Sequence, residues 1–331
     1  MDKAAASHQP PSLRDVPEPQ IDVTSQAIVA PMKAGADMAC GVFHRNRCFC
    51  EASRTLLSAN RFTASLSCPT PEFHLPGRHL FAGIGRHHFG HFLLECVCRL
   101  WPLDTDLAFD GLVIIPKQGI NFSAVFQRRF RTFLEMLTGG LPVHFATAPV
   151  EVETLVVPSQ GFGHLHWSCG TERFRGFVRS RIATQIRPDG PDLLYISRLL
   201  LKRPEQMVDQ EGRIEILMRQ AGYSIFHPQR HSLEEQCARY RAASHIVGAD
   251  GSAFHLASFA IESGTTIGLI QRRHRPEVFS ALMAQINAFC DVDLVALNAL
   301  RARDDRTSRG GRAAPIDIDL LEQSLAVSGL I

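Results

Sequence analysis

Ile246-Val247-Gly248-Ala249-Asp250-Gly251-Ser252-Ala253-Phe254-His255 reads as a buried strand that turns at glycines into a helix, and this unit decides the fold class. The apolar run is too short for a helix, and Gly248 and Gly251 permit the tight turn. Apolar residues resume at helical spacing over 253–259. A helix opening there presents free backbone N–H groups and the positive end of its dipole to an anion. Ser252 would donate its hydroxyl or act as the N-cap. An ordinary strand-to-helix turn looks the same in isolation, so the neighbours must decide.

Outward from this unit, strand patterns at 193–197, 223–226, 245–247 and 265–270 alternate with helical patterns at 211–220, 233–243, 253–259 and 278–289. That alternation calls for a parallel sheet covered on both faces, with ligands at the edge where the strands end. Upstream, short strand-like runs at 27–30, 41–44 and 62–66 predict a small β-rich entry region. A helix over 92–103, a strand over 111–116, a helix over 124–137 and a strand over 150–158 follow. Residues 316–327 form one closing amphipathic helix in this reading. The expected organisation is a disordered tail (1–20), an N-terminal α/β domain with the β-rich entry (21–185), a C-terminal α/β domain (186–300), and a linker with a terminal helix (301–331).

The 331 residues are 45% hydrophobic and 21% charged, which excludes general disorder. Thirty-five basic residues against thirty-three acidic leave +2, too balanced for the cationic face of a nucleic-acid binder. No run approaches the ~20 apolar residues of a membrane-spanning helix. The arginine-rich stretch 301–312 offers at most a peripheral contact with anionic lipid. Nine cysteines without scaffold spacing suit reduced thiols and a cytoplasmic site of action, with most of them serving as apolar filling.

Three constellations carry possible chemistry. In Arg86-His87-His88-Phe89-Gly90-His91-Phe92-Leu93-Leu94-Glu95, a helix beginning near His87 places His87, His91 and Glu95 on one face. Such a row serves as a base with its orienting carboxylate, as metal ligands completed by His164 or His166, or simply as a helix cap. In Ser197-Arg198-Leu199-Leu200-Leu201-Lys202-Arg203, cations follow a strand directly and are placed to hold a diphosphate. The third constellation is the 246–255 turn itself. Gly83-Ile84-Gly85 is followed next by Gly90, so the dinucleotide fingerprint fails, and no Gly-x-Ser-x-Gly supports a serine hydrolase.

Taken in order, these segments resemble glycosyltransferase family 61, which includes plant xylan xylosyl- and arabinosyltransferases, animal O-GlcNAc transferases and bacterial polysaccharide enzymes. The resemblance runs through His88-Phe89-Gly90-His91-Phe92-Leu93-Leu94-Glu95 with Cys98-Arg99-Leu100, then Tyr195-Ile196-Ser197-Arg198, Gln210-Glu211, Gly222-Tyr223, Ser232-Leu233-Glu234-Glu235-Gln236, and Ala243 through Phe254. Asp250 stands where many members carry His, and Gly268 stands where a Glu is usual.

The resemblance implies a GT-B-like α/β fold: two Rossmann-like domains facing a cleft, the nucleotide-sugar in the C-terminal one. It implies inverting transfer from a nucleotide-sugar, with a UDP-sugar first in line, to a glycan or polysaccharide acceptor, as in bacterial surface-polysaccharide enzymes. His91 or Glu95 would be the catalytic base, with the imidazole favoured because it titrates near neutrality. Donor contacts would come from Ser197, Arg198, Lys202, Ser232, Gln236, Gly248, Asp250, Gly251 and Ser252, with Ser232 equally readable as an N-cap. No metal is required if Arg198 and Lys202 neutralise the leaving diphosphate. The alternatives are a metal-dependent hydrolase using His87, His91 and Glu95, and a non-catalytic nucleotide- or glycan-binding member of the family.

Overall fold

The computed structural model describes residues 11–33, 35, 38–58, 61–119, 121–302 and 313–331, without the side chains of residues 15 and 166. The core of the expected linker, 303–312, and half of the expected tail, 1–10, thus lie outside the described residues. Two compact units emerge, one of Val16–Gln185 and one of Ile186–Ile331 with the described N-terminal residues up to Asp15.

The Val16–Gln185 unit contains β1 (Ile21–Ala30), β2 (Gly41–Phe43), β3 (Leu56–Ser58), β4 (Arg61–Phe62), β5 (Phe73–Gly85), α1 (Phe89–Glu95), β6 (Gly111–Pro116), α2 (Phe122–Arg129), α3 (Arg131–Thr138), β7 (Val143–Phe145), β8 (Val150–Pro158) and α4 (Glu172–Gln185). Its six-stranded sheet has the order β2-β1-β8-β5-β6-β7. Strands β8, β5, β6 and β7 are parallel, whereas β1 runs antiparallel to β8 and β2. Of the entry strands, β1 and β2 extend this sheet while β3 and β4 pair as a separate two-stranded sheet. The six-stranded sheet is mixed, which corrects the expected Rossmann-like pattern here. Leu112, Val113, Ile114 and Ile115 of β6 are fully buried, each worth about 1.5–3 kcal/mol of burial.

Strand β5 escapes a reading by pattern because Pro76, Gly77 and two further glycines interrupt it, features that demote a run to an edge or a loop. The chain absorbs them in bulges between Leu75 and Arg78 and between Phe81 and Ile84. Gly83, at φ +70, has no room for a side chain, because a Cβ there would strike the carbonyl oxygen of Glu95 at the end of α1. Gly85 similarly leaves space for the Phe122 ring.

The helix expected over 92–103 is instead α1, begun at Phe89 and stopped at Glu95, followed by 3-10 turns at Val97–Arg99 and Trp101–Asp104. Pro102 lacks the N–H that a continued helix would need. The break also swings Arg99 inward. Its fully buried guanidinium donates to the carbonyls of Ala52 (2.8 Å), Pro158, Ser53 (3.2 Å) and Arg54 (2.6 Å), and lies 5.3 Å from the centre of the Phe81 ring. The helix expected over 124–137 is likewise divided into α2 and α3 at Phe130, whose ring stacks on Phe92 at 4.1 Å.

The second unit contains β9 (Leu193–Ile196), α5 (Glu211–Gln220), β10 (Ser224–Phe226), α6 (Leu233–Ala242), β11 (His245–Ala249), α7 (Ser252–Ala260), β12 (Thr266–Ile270), α8 (Pro276–Phe289), β13 (Asp293–Leu297) and α9 (Ile318–Val327). All strand pairs in its sheet are parallel, in the order β10-β9-β11-β12-β13. This is the flavodoxin-type doubly wound order, not the longer Rossmann order, and its direction reverses between β9 and β11. Gly268 of β12 is closed in by Leu330, Val247 and Leu297, so the C-terminal Leu330 fills the space a side chain there would take.

Candidate active site

In the Val16–Gln185 unit, β5 and β8 are parallel neighbours, so the segments that follow them leave from the same sheet edge. Arg86 follows β5, α1 carries His91 and Glu95 one turn apart, and His164 comes from the segment after β8. Glu95 is fully buried. Its Oε1 accepts from His91 Nδ1 at 2.7 Å and from Arg86 Nη1 at 2.9 Å, with His164 Nε2 at 3.9 Å. Its Oε2 is buried without a hydrogen-bond partner.

Burial alone would raise the Glu95 carboxyl, but His164, the His91 hydrogen bond and the Arg86 charge outweigh it and hold the group at about 2. So stable a carboxylate is a poor proton acceptor near neutral pH. It suits the other task of fixing a tautomer: with Nδ1–H given to Glu95, His91 keeps the lone pair on Nε2. The His91 side chain is 28% exposed, against 0% for Glu95, so the imidazole is the member of the pair that reaches solvent.

The expected row of His87, His91 and Glu95 does not form. Helix α1 begins at Phe89 with His88 as its N-cap, which leaves His87 before the helix, and His164 supplies the third group. The ligand atoms of His91, Glu95 and His164 lie within 4.8 Å of one another, a spacing that would suit a divalent ion. Arg86 already neutralises Glu95, which favours the hydrogen-bonded pair.

In the other unit the topological switch lies between β9 and β11, and the loops after both strands carry sequence-selected residues. Arg198 follows β9 and is buried, with Nε donating to the Gln206 carbonyl at 2.7 Å and its backbone N–H to Glu211 Oε1 at 2.7 Å. A Cβ at Gly251 would collide with the Arg198 guanidinium, so the bare glycine lets that cation lie against the start of α7. Gly251 is the N-cap and makes no side-chain cap bond; Ser252 opens the helix.

Two residues not selected from the sequence complete this edge. Arg272 and Arg273 follow β12, and both bind Asp250. Arg273 Nε–H is buried without an acceptor. Burial, with Arg198 nearby, lowers Arg272 to about 9. The available signal was the basic run Arg272-Arg273-His274-Arg275 directly after a strand, the same signal that singled out Arg198.

The remaining expected donor residues are placed differently. Asp250 is turned to Arg272 and Arg273. Gly248 lies inside β11, closed in by Ile196 and Phe254. Ser197 donates to Glu215 Oε1 at 2.6 Å, and Gln236 donates to the carbonyls of Pro228 (2.8 Å) and His231 (3.2 Å). Ser232 caps α6 in a complete capping box with Glu235, and Lys202 stands exposed on the loop after β9. Glu211 lies beside Arg198 with Oε2 unpartnered, its carboxyl raised to about 7 by burial against the lowering effect of Arg198.

The sequence of residues 89–267 matches the family model described as Glycosyltransferase 61. None of the curated proteins compared with the chain matches it. No helix among the described residues is long and apolar enough to cross a membrane. The matched stretch takes in α1 with His91 and Glu95, the loop of Arg198 and the Gly251 turn, and covers more than half of the chain, which belongs to the glycosyltransferase 61 family and is a glycosyltransferase.

Proposed function

We propose that the chain transfers a sugar with inversion from a nucleotide-sugar, a UDP-sugar first, to a glycan or polysaccharide acceptor. The observation that carries this reading is the Arg198 guanidinium lying against Gly251 at the switch point of a parallel sheet, with Arg272 and Arg273 on the adjoining loop. In this reading the donor diphosphate takes the N–H groups that open α7 together with Arg198 and Arg273. These fixed cations stabilise the leaving diphosphate, so no metal or other cofactor is required. His91 Nε2 takes the proton of the acceptor hydroxyl as it attacks the anomeric carbon, and Glu95 holds the ring and stabilises the imidazolium. The GT-B arrangement, a bacterial surface-polysaccharide acceptor and a cytoplasmic site of action, peripheral at a membrane, belong to the same proposal. Nine free cysteines suit a reducing compartment.

The test is a thermal-shift panel of UDP, GDP, CMP and ADP on the wild type, Arg198→Ala and Arg273→Ala. A ligand bound only by the folded state, at a hundred times its Kd, adds about 2.7 kcal/mol. A shift with one nucleotide, diminished in both variants, supports the donor site and names the donor class for transfer assays. No shift with any nucleotide counts against it, and nucleotide binding without transfer favours the non-catalytic family member.

A further inference from the structure

We propose that Asp22, His44 and Cys50 form a site for a zinc-type divalent cation, built from residues distinct from those assigned to sugar transfer. Asp22 lies on β1, His44 just past β2, and Cys50 at the return of the short hairpin that brings Phe49 opposite Phe43. Asp22 Oδ2 is 3.5 Å from His44 Nε2 and 3.5 Å from Cys50 Sγ. Around tetrahedral zinc, with Zn–S about 2.3 Å and Zn–N and Zn–O about 2.0–2.2 Å, ligand atoms stand roughly 3.3–3.5 Å apart. The Asp22 carboxylate oxygen is at that spacing from both the imidazole and the thiol, and all three ligand atoms lie within 4.8 Å of one another.

Thr24 supplies the second observation. It lies two residues from Asp22 on β1 and is buried, so both side chains leave the same face of the strand. Its hydroxyl donates to Asp22 Oδ1 at 3.3 Å, and its oxygen lies 2.5 Å from His44 Nδ1. One hydroxyl thus holds Oδ1 of the carboxylate and Nδ1 of the ring, and leaves Oδ2 facing both His44 Nε2 and Cys50 Sγ. Histidine metal ligands are typically oriented in this way, by an oxygen partner on the other ring nitrogen.

The donor set selects the ion. Thiolate, imidazole and one carboxylate suit zinc over magnesium or calcium, which prefer oxygen ligands alone. Burial and the neighbouring Asp22 push the Cys50 thiol up to about 12, while the backbone N–H groups of Ser53 and Ala52 act in the opposite direction. Binding therefore breaks the Cys50 S–H bond, releases its proton to solvent and forms the S–metal bond. An open depression of about 670 Å³ is walled by Val23, Thr24, Ser25, His44, Arg45 and Asn46, so water reaches the His44 side of the trio.

Cobalt(II) serves as the probe, because a cobalt–thiolate bond gives a charge-transfer absorption in the near ultraviolet. Titrating the chelator-stripped full chain is expected to raise this band to saturation at one equivalent, and zinc should abolish it. Thr24→Val is expected to weaken cobalt binding by about 10–100-fold. His44→Gln and Cys50→Ser should lose the band, while Cys48→Ser, which alters the exposed cysteine of the same hairpin, should keep it. If Cys50→Ser fails to fold, the partly exposed His44→Gln carries the test. No band in the wild type, or a full band in His44→Gln, overturns the site and leaves a hydrogen-bonded trio around Thr24.

Discussion

Arg273 Nη2 donates to Asp250 Oδ1 at 2.9 Å, and the Nε of Arg272 lies 3.3 Å from the same oxygen. The backbone N–H of Arg272 adds a bond to Oδ2 at 3.1 Å, so both carboxylate oxygens are engaged within the protein. Asp250 is thus an acid that anchors two arginines at the edge of the parallel sheet.

Removing that anchor leaves two cations poorly matched. Asp250→Ala is expected to lower unfolding stability by about 3 kcal/mol, the usual cost of breaking a buried ion pair from one side. Asp250→Asn, which keeps both positions polar, should cost less. Urea unfolding midpoints check this, and a change in Asp250→Ala below about 1 kcal/mol would show that the network is dispensable.

The Gly251 turn is expected to tolerate no side chain without loss of function. Gly251→Ala displaces the Arg198 guanidinium from the start of α7, so nucleotide affinity should fall by at least about tenfold, or roughly 1.4 kcal/mol. Calorimetric titration with the nucleotide identified by thermal shift measures it, and unchanged affinity would remove this turn from the donor site.

His91→Ala is expected to lower turnover by about 10²–10⁴-fold, the range for loss of a general base. Glu95→Gln should also reduce turnover and alter the pH profile, because the ring loses the charge that orients it. Near-normal turnover in His91→Ala with loss in Glu95→Gln would reverse the assignment. Glu95 is held at about 2 in the folded chain, below the ordinary 4.5, so its stabilising contribution is present above pH 4.5 and is lost as the pH falls toward 2.

Glu211 gives the opposite sign. Its carboxyl is raised from 4.5 to about 7, so folding favours the protonated form, and stability declines as the pH rises from about 4.5 through 7. The difference amounts to roughly 3 kcal/mol at full effect. Glu211→Gln retains a carbonyl oxygen for the Arg198 N–H and carries no charge, so it should flatten this decline. Denaturant midpoints at pH 5 and pH 8 decide it: an equal fall in the wild type and the variant would mean that Glu211 is not the source.

Sequence by itself determined the elements whose signals are local. Helix α5 falls on the residues where periodicity places it, bounded by Gly222 beyond its end, and the parallel alternation of the C-terminal half follows from strand and helix patterns of regular length. The Gly251 turn and Arg198 were legible for the same reason, each being a short run attached to a strand. Strand β5 was hidden by its own Pro and Gly residues, whose bulges make sense only once β6 and β8 flank it. Only the tertiary structure decided which side chains meet. Parallel crossovers return the chain to one sheet edge after each helix, and so bring His164 to Glu95 and Arg273 to Asp250. Spacing along the chain carries no record of such meetings, because the crossover geometry that produces them is set by the packing of whole layers and not by any neighbouring residue.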